Sequence, residues 1–417
     1  MEHTERPRRA RHRRAEEHPD DGTDLALEAG HGHGHGHGPA PPAGRRIRII
    51  IACLLVPAVL ATLAGLVLLF PTAQRPTGAA ASPRVDGHVT TASETACDVG
   101  QEPTGCVALT IALTDGPLPG REIVVVVSKV RGNAPFGAGD DVVLVQSGDD
   151  PADPASYDVT DFQRDTPIQL LAVLFAIAVV TLGRWRGFAA LVALGLTGVV
   201  LIMFVLPAIL DGRDPLLVAI VGSCAIMFGV LYLTHGFSAR TSTAVLGTLL
   251  SLVLIGVLGA AFAAAARLTG DGEDTASLSA ALGTSVDGRG LVLAGLVIGA
   301  LGALDDVTVT QTSAVWELRR ANPQLGPAAL FGAAMRIGRD HVASAVNTLV
   351  LAYAGAALPL LLLYSVAERG LGETLTAQVI ATEVVRTLVG SIGIVASVPI
   401  TTLLAVAVVN QERTSAT

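Results

Sequence analysis

Lysine occurs once in 417 residues, at Lys129, and charged side chains of both signs make up only 15% of the chain. Soluble chains carry about a quarter charged residues. Here the shortage is concentrated in long uncharged runs, and apolar runs of roughly 18 residues or more read as membrane spans. An acidic, lysine-poor surface argues against nucleic-acid binding, which needs clustered cations, and with a formal net charge of −8 no nucleic-acid partner is expected. Also missing are a Walker-type Gly-Lys-Ser/Thr, a G-x-S-x-G and an H-E-x-x-H. Their absence excludes a self-contained nucleotide motor and the commonest hydrolase signatures. No cofactor is expected.

What is present is apolar: 51% of residues are hydrophobic and the mean hydropathy is +0.56. The pattern predicts an α-helical polytopic membrane protein with about eight transmembrane helices, a small extracytoplasmic β-rich, barrel-like domain and a disordered N-terminal arm. Residues 1–46 form the arm, whose mixed charges and Pro/Gly linker cannot bury enough surface to fold. Its run His31, His33, His35 and His37 alternates with glycine. Those four imidazoles could form a weak metal tract, or be a tolerated low-complexity tail; tetrahedral spacing for structural zinc is lacking.

A first span covers 47–70, after Arg45, Arg46 and Arg48, and is too long for a cleaved leader core. The stretch 71–166 carries six basic and fourteen acidic side chains, about −8 in all. Its β-branched runs Val107–Leu113, Ile123–Val130 and Asp141–Val145 alternate with Gly, Pro and Asp clusters, which predicts a small antiparallel barrel or sandwich, an OB-like or SH3-like barrel first. Cys97 and Cys106 lie in this domain. An oxidising compartment would permit a disulfide between them; free thiols or a weak metal site are the alternatives.

Seven further spans make up a membrane domain over 167–410: about 167–183, 187–210, 215–234, 241–266, 289–307, 341–366 and 387–409, followed by a tail at 411–417. With both termini cytoplasmic, eight arginines flank the inner ends and four the outer ends, which satisfies the positive-inside rule. Two stretches resist simple counting. Thr374–Val409 would be about 54 Å long as one helix, so Leu375–Arg386 is expected on the outer surface, bending into a span near Gly390 and Gly393. After Pro323 and Pro327, residues Leu330, Phe331, Ala334, Met335 and Ile337 predict a short amphipathic helix at the inner interface.

The chemistry-bearing residues cluster in three places. Asp305 and Asp306 stand about 24 Å from Arg289 along a helix, followed by Thr308, Thr310, Thr312, Ser313 and Glu317 at helical spacing. Ionisable groups at membrane depth normally face a bundle interior or a wet cavity, which points to a cation or proton site with a hydroxyl-lined vestibule. The plainer alternative ends the span at Leu304 and leaves the pair in the interface. The next helix opens with Asp340, His341, Ser344 and Asn347; His341 could carry protons, or simply bond a neighbour at a helix start. Glu383 and Arg386, three apart, form a candidate gate pair or an ordinary intrahelical ion pair.

These same stretches resemble the YibE/F family of bacterial multi-pass membrane proteins. The resemblance rests on Gly302–Glu317, Ile337–Gly355, Glu383–Gly393 and Val398–Thr402, with Tyr157–Arg164 ahead of the second span. It implies a bacterial plasma-membrane location and a multi-pass body behind a small extracytoplasmic domain, and supplies no catalytic residues. The expected function is a secondary-type permease of an ion or small solute that uses the Asp pair. Its expected partners are the lipid bilayer, that ion or solute, and a protein docked on the outer domain. A non-transporting assembly or sensory protein and an Mg-dependent membrane enzyme are the alternatives; the latter would need further carboxylates beside the pair.

Overall fold

The computed structural model describes residues 45–72, 83–97, 105–128, 136–148, 150–282, 285–366 and 370–414. The His31–His37 tract lies outside them. The first described element is α1, Arg45–Leu68, whose Ile47, Ile51 and Leu55 are buried against the helices that follow.

A five-stranded antiparallel sheet comes next: β1 (Arg84–Thr95), β2 (Cys106–Leu113), β3 (Glu122–Ser128), β4 (Asp141–Gln146) and β5 (Tyr157–Phe162), in the order β3-β2-β1-β4-β5. Alternation explains it. Along β2, Leu109, Ile111 and Leu113 point inward, and they meet Val85, Val89, Ile123, Val142, Leu144 and Tyr157 in one core. Irregularities at Val89/Thr91 and Val143/Leu144 curl the sheet into a half-barrel. A small barrel or sandwich was expected; the sheet is a half-barrel with β3 and β5 as its edges. The two unforeseen strands are the polar β1 and β5. Cys97 and Cys106 are joined by a disulfide that ties the end of β1 to the start of β2.

The rest of the described chain is helical: α2 (Asp165–Val200), a π-turn at Leu201–Val205, α3 (Leu206–Leu210), α4 (Pro215–His235), α5 (Ala239–Ala265), α6 (Glu273–Leu282), α7 (Gly288–Ala321), α8 (Pro327–Ala356), α9 (Leu358–Val366), α10 (Leu371–Thr376) and α11 (Gln378–Thr414). Six helices among the described residues are long and apolar enough to cross a membrane, or seven if α8 and α9, bent by 57°, make one. The predicted spans 167–183 and 187–210 fall within one of these, Asp165–Leu210. That helix is not straight. Arg184 adopts φ 51°, ψ −129°, in the left-handed region. Gly187 then lies against the backbone of Val179, where a Cβ would clash. Eight residues of straight helix would span about 12 Å, so the chain turns back at Arg184.

At the centre stand α5, α7 and α11, mutually packed, with α4 and α8 against them. Their shared core includes Ile255, Leu296, Val297, Ala300, Leu304, Val307, Ile394 and Val398. Two expectations are corrected here. The stretch Gln378–Thr414 is one continuous helix of about 55 Å that runs through Gly390, Gly393 and Pro399, and the helical break lies earlier, at Ala377; Gly393 seats closely on Ile255 of α5. The predicted interfacial helix around Leu330 is the first part of α8, with Leu330, Ala334 and Gly338 buried against α7 and α11.

Candidate functional site

Asp305 and Asp306 sit near the middle of α7, and one residue of helix turns them about 100° apart. They therefore serve different neighbours. Asp305 faces α5, with the Thr248 side chain beside its carboxyl group. Its Oδ1 is buried and has no hydrogen-bond partner. Thr248 and Thr308, both fully buried, share a 2.8 Å hydrogen bond, and the Thr308 hydroxyl also reaches the Asp305 carbonyl at 3.2 Å. No guanidinium or imidazole is paired with Asp305 among the described residues.

Asp306 faces α8. Its Oδ2 lies 3.4 Å from His341 Nε2, and its side chain is 72% exposed while that of His341 is 35% exposed. The separation suits an ion pair when His341 is protonated, but the alignment is not that of a hydrogen bond, and His341 Nε2 has no other partner. Asp305 and Asp306 are thus two separate groups rather than a dyad sharing one ligand.

A buried polar seam continues from Asp305 along α7. Gln311, 2% exposed, donates to Thr402 Oγ1 on α11 at 2.7 Å and to the Ala334 carbonyl on α8 at 3.0 Å. Thr401, fully buried, abuts Gly247 on α5, and its hydroxyl has no partner. The hydroxyls of Thr312 and Ser313 turn back onto carbonyls of α7 itself. Thr308 and Thr312 are accordingly packed between helices, whereas Thr310 and Ser313 are half-buried. Glu317 is exposed and paired with Arg320 at 3.3 Å. Arg319 closes the C-terminal end of α7, donating to the carbonyls of Pro323 and Leu325 and to Asn410 of α11.

Glu383 and Arg386 form a close pair on α11, Arg386 Nη1 to Glu383 Oε1 at 2.6 Å, both largely shielded. The Arg386 guanidinium lies over Gly295 and the Tyr353 hydroxyl lies against Gly299, where side chains on α7 would collide with them. Gly299 and Asp306 are seven apart and share a face of α7, about 10 Å from each other. One side of α7 therefore carries two polar groups in line: Glu383–Arg386–Tyr353, then Asp306–His341. Asp340, Ser344 and Asn347 do not join either group; they lie on the exposed face of α8.

Sequence reasoning missed Thr248, Gln311, Tyr353, Thr401 and Thr402. Gln311 did carry a signal, as the sole carboxamide of α7; Thr248 lies in an apolar run with nothing local to mark it. No cluster of three or more His, Cys, Asp or Glu suited to a metal ion occurs among the described residues.

This polar axis, on α7, α8 and α11, lies wholly within the part of the chain that matches a known family: residues 171–411 match the family described as YibE/F-like protein. The chain belongs to the YibE/F family. No curated protein and no solved structure matches it. Family membership, with the apolar helices, makes this a membrane protein. The β-sheet domain lies outside the matched residues, so the family signature resides in the helical body.

Proposed function

We propose that this YibE/F protein is a secondary-type permease in which Asp305 binds a proton or small cation within the membrane. One observation carries this: one oxygen of the Asp305 carboxyl group, beside the Thr248 side chain, is buried without a hydrogen-bond partner in the central helix of the bundle. Buried carboxylates are costly unless paired or neutralised. Here the Thr248 side chain stands beside the group, and a proton or cation completes it. Thr248 is nine residues, about 14 Å, from the start of α5, which favours a position within the roughly 30 Å hydrocarbon core.

In this reading the turn at Arg184 makes two spans of α2, the bent α8–α9 pair makes one, and eight crossings result. Both termini are cytoplasmic and the half-barrel is outside. Asp306 and His341 then pass protons or ions between the site and the cytoplasmic side, and Glu383, Arg386 and Tyr353 close the route from the other side. An Mg-dependent enzyme is less favoured, because Asp305 and Asp306 face apart and no third carboxylate joins them.

The test is thermal stability of the purified protein against H⁺, Na⁺, K⁺, Mg²⁺, Mn²⁺ and Zn²⁺, with Asp305→Asn and Asp306→Asn in parallel. A ligand at 100 times its Kd adds about 2.7 kcal/mol to the folded state. Stabilisation by one ion that disappears in Asp305→Asn is expected. A response retained in that variant refutes the site, and no response at all favours a docking or sensory role through the half-barrel.

A further inference from the structure

Most of the exposed surface of the helical body is apolar and suits lipid. The first half of α2 is an example, with Ile168, Leu171, Leu174 and Ile177 all at least half exposed. One helix departs from this. On α8, Asp340, Ser344, Asn347 and Thr348 are exposed along a single stripe, at i, i+4, i+7 and i+8. The exposed Asp306 carboxylate of α7 stands at its edge. The stripe continues as Ala352 and Ala356, so exposed small side chains repeat every four residues from Ser344 through Thr348 to Ala356.

Lipid cannot satisfy this face. Asn347 is about 30 Å from the N-terminus of α8 and about 9 Å beyond His341, well within the apolar length of the helix. Polar groups exposed at such depth find partners on other helices, and small-xxx-small ladders let backbones approach closely enough to supply them. Among the described residues nothing covers the stripe. The Thr348 hydroxyl returns to the Ser344 carbonyl at 3.0 Å, while the Asn347 carboxamide and the Asp340 carboxylate face outward.

We infer that a second copy of this chain covers the stripe, α8 against α8, about a two-fold axis normal to the membrane. Two copies inserted in the same sense bring identical residues to equal depth, so the face must complement itself. At its middle it does: Asn347 is both donor and acceptor and pairs with Asn347 of the second copy, as a lone core asparagine does in parallel coiled coils. Asp340, about 10 Å nearer the start of α8, repels its own copy and so lies where the crossed helices have diverged. Ser344 and Ala352 provide the close approach on either side. Asp306 and His341 then lie in a groove roofed by the second copy rather than open to lipid, so the groove is incomplete in a single chain. This inference needs α8 to lie in the membrane but does not depend on transport.

The experiment uses the full-length protein in liposomes at low protein density, with Cys53→Ala and Cys224→Ala removing the free cysteines and the Cys97–Cys106 disulfide kept. Single Thr348→Cys and Ala352→Cys variants are oxidised with copper phenanthroline, beside Leu171→Cys and Leu174→Cys controls on α2. Disulfide-linked dimers are expected at 348 and 352 and not at 171 or 174. In single-molecule photobleaching of the chain with its natural α8, Asn347→Leu is expected to lower the two-step fraction at least five-fold. Monomer at both α8 positions, equal cross-linking on α2, linkage to a chain of another mass, or an unchanged fraction in Asn347→Leu would each overturn the inference. Because the readout is association, a failure here leaves the ion response of Asp305 untouched.

Discussion

Replacing Gln311 by leucine tests whether the buried polar seam joins the helices or merely sits between them. Gln311 gives one hydrogen bond to Thr402 on α11 and one to the Ala334 carbonyl on α8, from a site only 2% exposed. Leucine keeps most of the volume, so the change isolates the polar contacts. Interhelical hydrogen bonds in membrane proteins average about 0.6 kcal/mol and reach about 1.7 kcal/mol. Gln311→Leu should therefore cost about 1–2 kcal/mol, and Thr402→Val, which loses one interhelical bond, about 0.5–1 kcal/mol. The double variant should be less destabilised than their sum by roughly 0.5–1.5 kcal/mol, since both remove one shared bond. Thr312→Val provides the control: its hydroxyl bonds only α7 carbonyls, so its effect should add to that of Thr402→Val. The assay is reversible denaturant unfolding of the detergent-solubilised protein. Additivity of Gln311→Leu with Thr402→Val within about 0.3 kcal/mol would refute the linkage.

Gly247→Val places a branched side chain against the fully buried Thr401 and should destabilise by about 1–3 kcal/mol through overpacking, measured in the same unfolding assay; an unchanged midpoint would show that α5 and α11 are not held this closely. Replacing Cys97 and Cys106 by serine opens a loop of sequence separation 9, and the half-barrel should lose about 2.5–3 kcal/mol in the chain-entropy estimate. In intact cells, neither cysteine should react with a maleimide until a reductant is added. Asp161 is held below the usual carboxylate range by the hydrogen bond from Arg164, assisted by the Phe162 amide. Its contribution to stability is thus present above the ordinary value of about 4 and is lost as pH falls through the lowered one. Arg164→Gln should bring the Asp161 carboxyl titration, followed by NMR, back towards that ordinary value; no movement contradicts the pairing.

Much of the helical body was legible because apolar length is a property of single segments. Pro215 and Pro327, each at the first turn of a helix, also mark starts that the sequence announces. What escaped detection depends on neighbours. The close seating of α11 on α5, where Gly393 meets Ile255, is one example: a glycine that reads locally as a place to bend also permits close contact. The polar strands β1 and β5 lack a dense β-branched signal and form through pairing with β2 and β4. At the site, Asp305, Asp306 and His341 were visible as ionisable residues in apolar helices. The division of the two carboxylates between α5 and α8 follows from helix rotation and packing. Thr248 and Thr402 became visible only once three helices converged.

The central claim, that Asp305 is an ion-coupling group, is tested most directly in proteoliposomes loaded with a pH-sensitive dye and subjected to imposed H⁺, Na⁺ or K⁺ gradients. Wild type, Asp305→Asn and empty liposomes are compared, with reconstitution checked by equal recovery of folded protein. The account predicts gradient-dependent dye signals in wild type that fall to the empty-liposome level in Asp305→Asn. Wild-type signals retained in full by folded Asp305→Asn would contradict it.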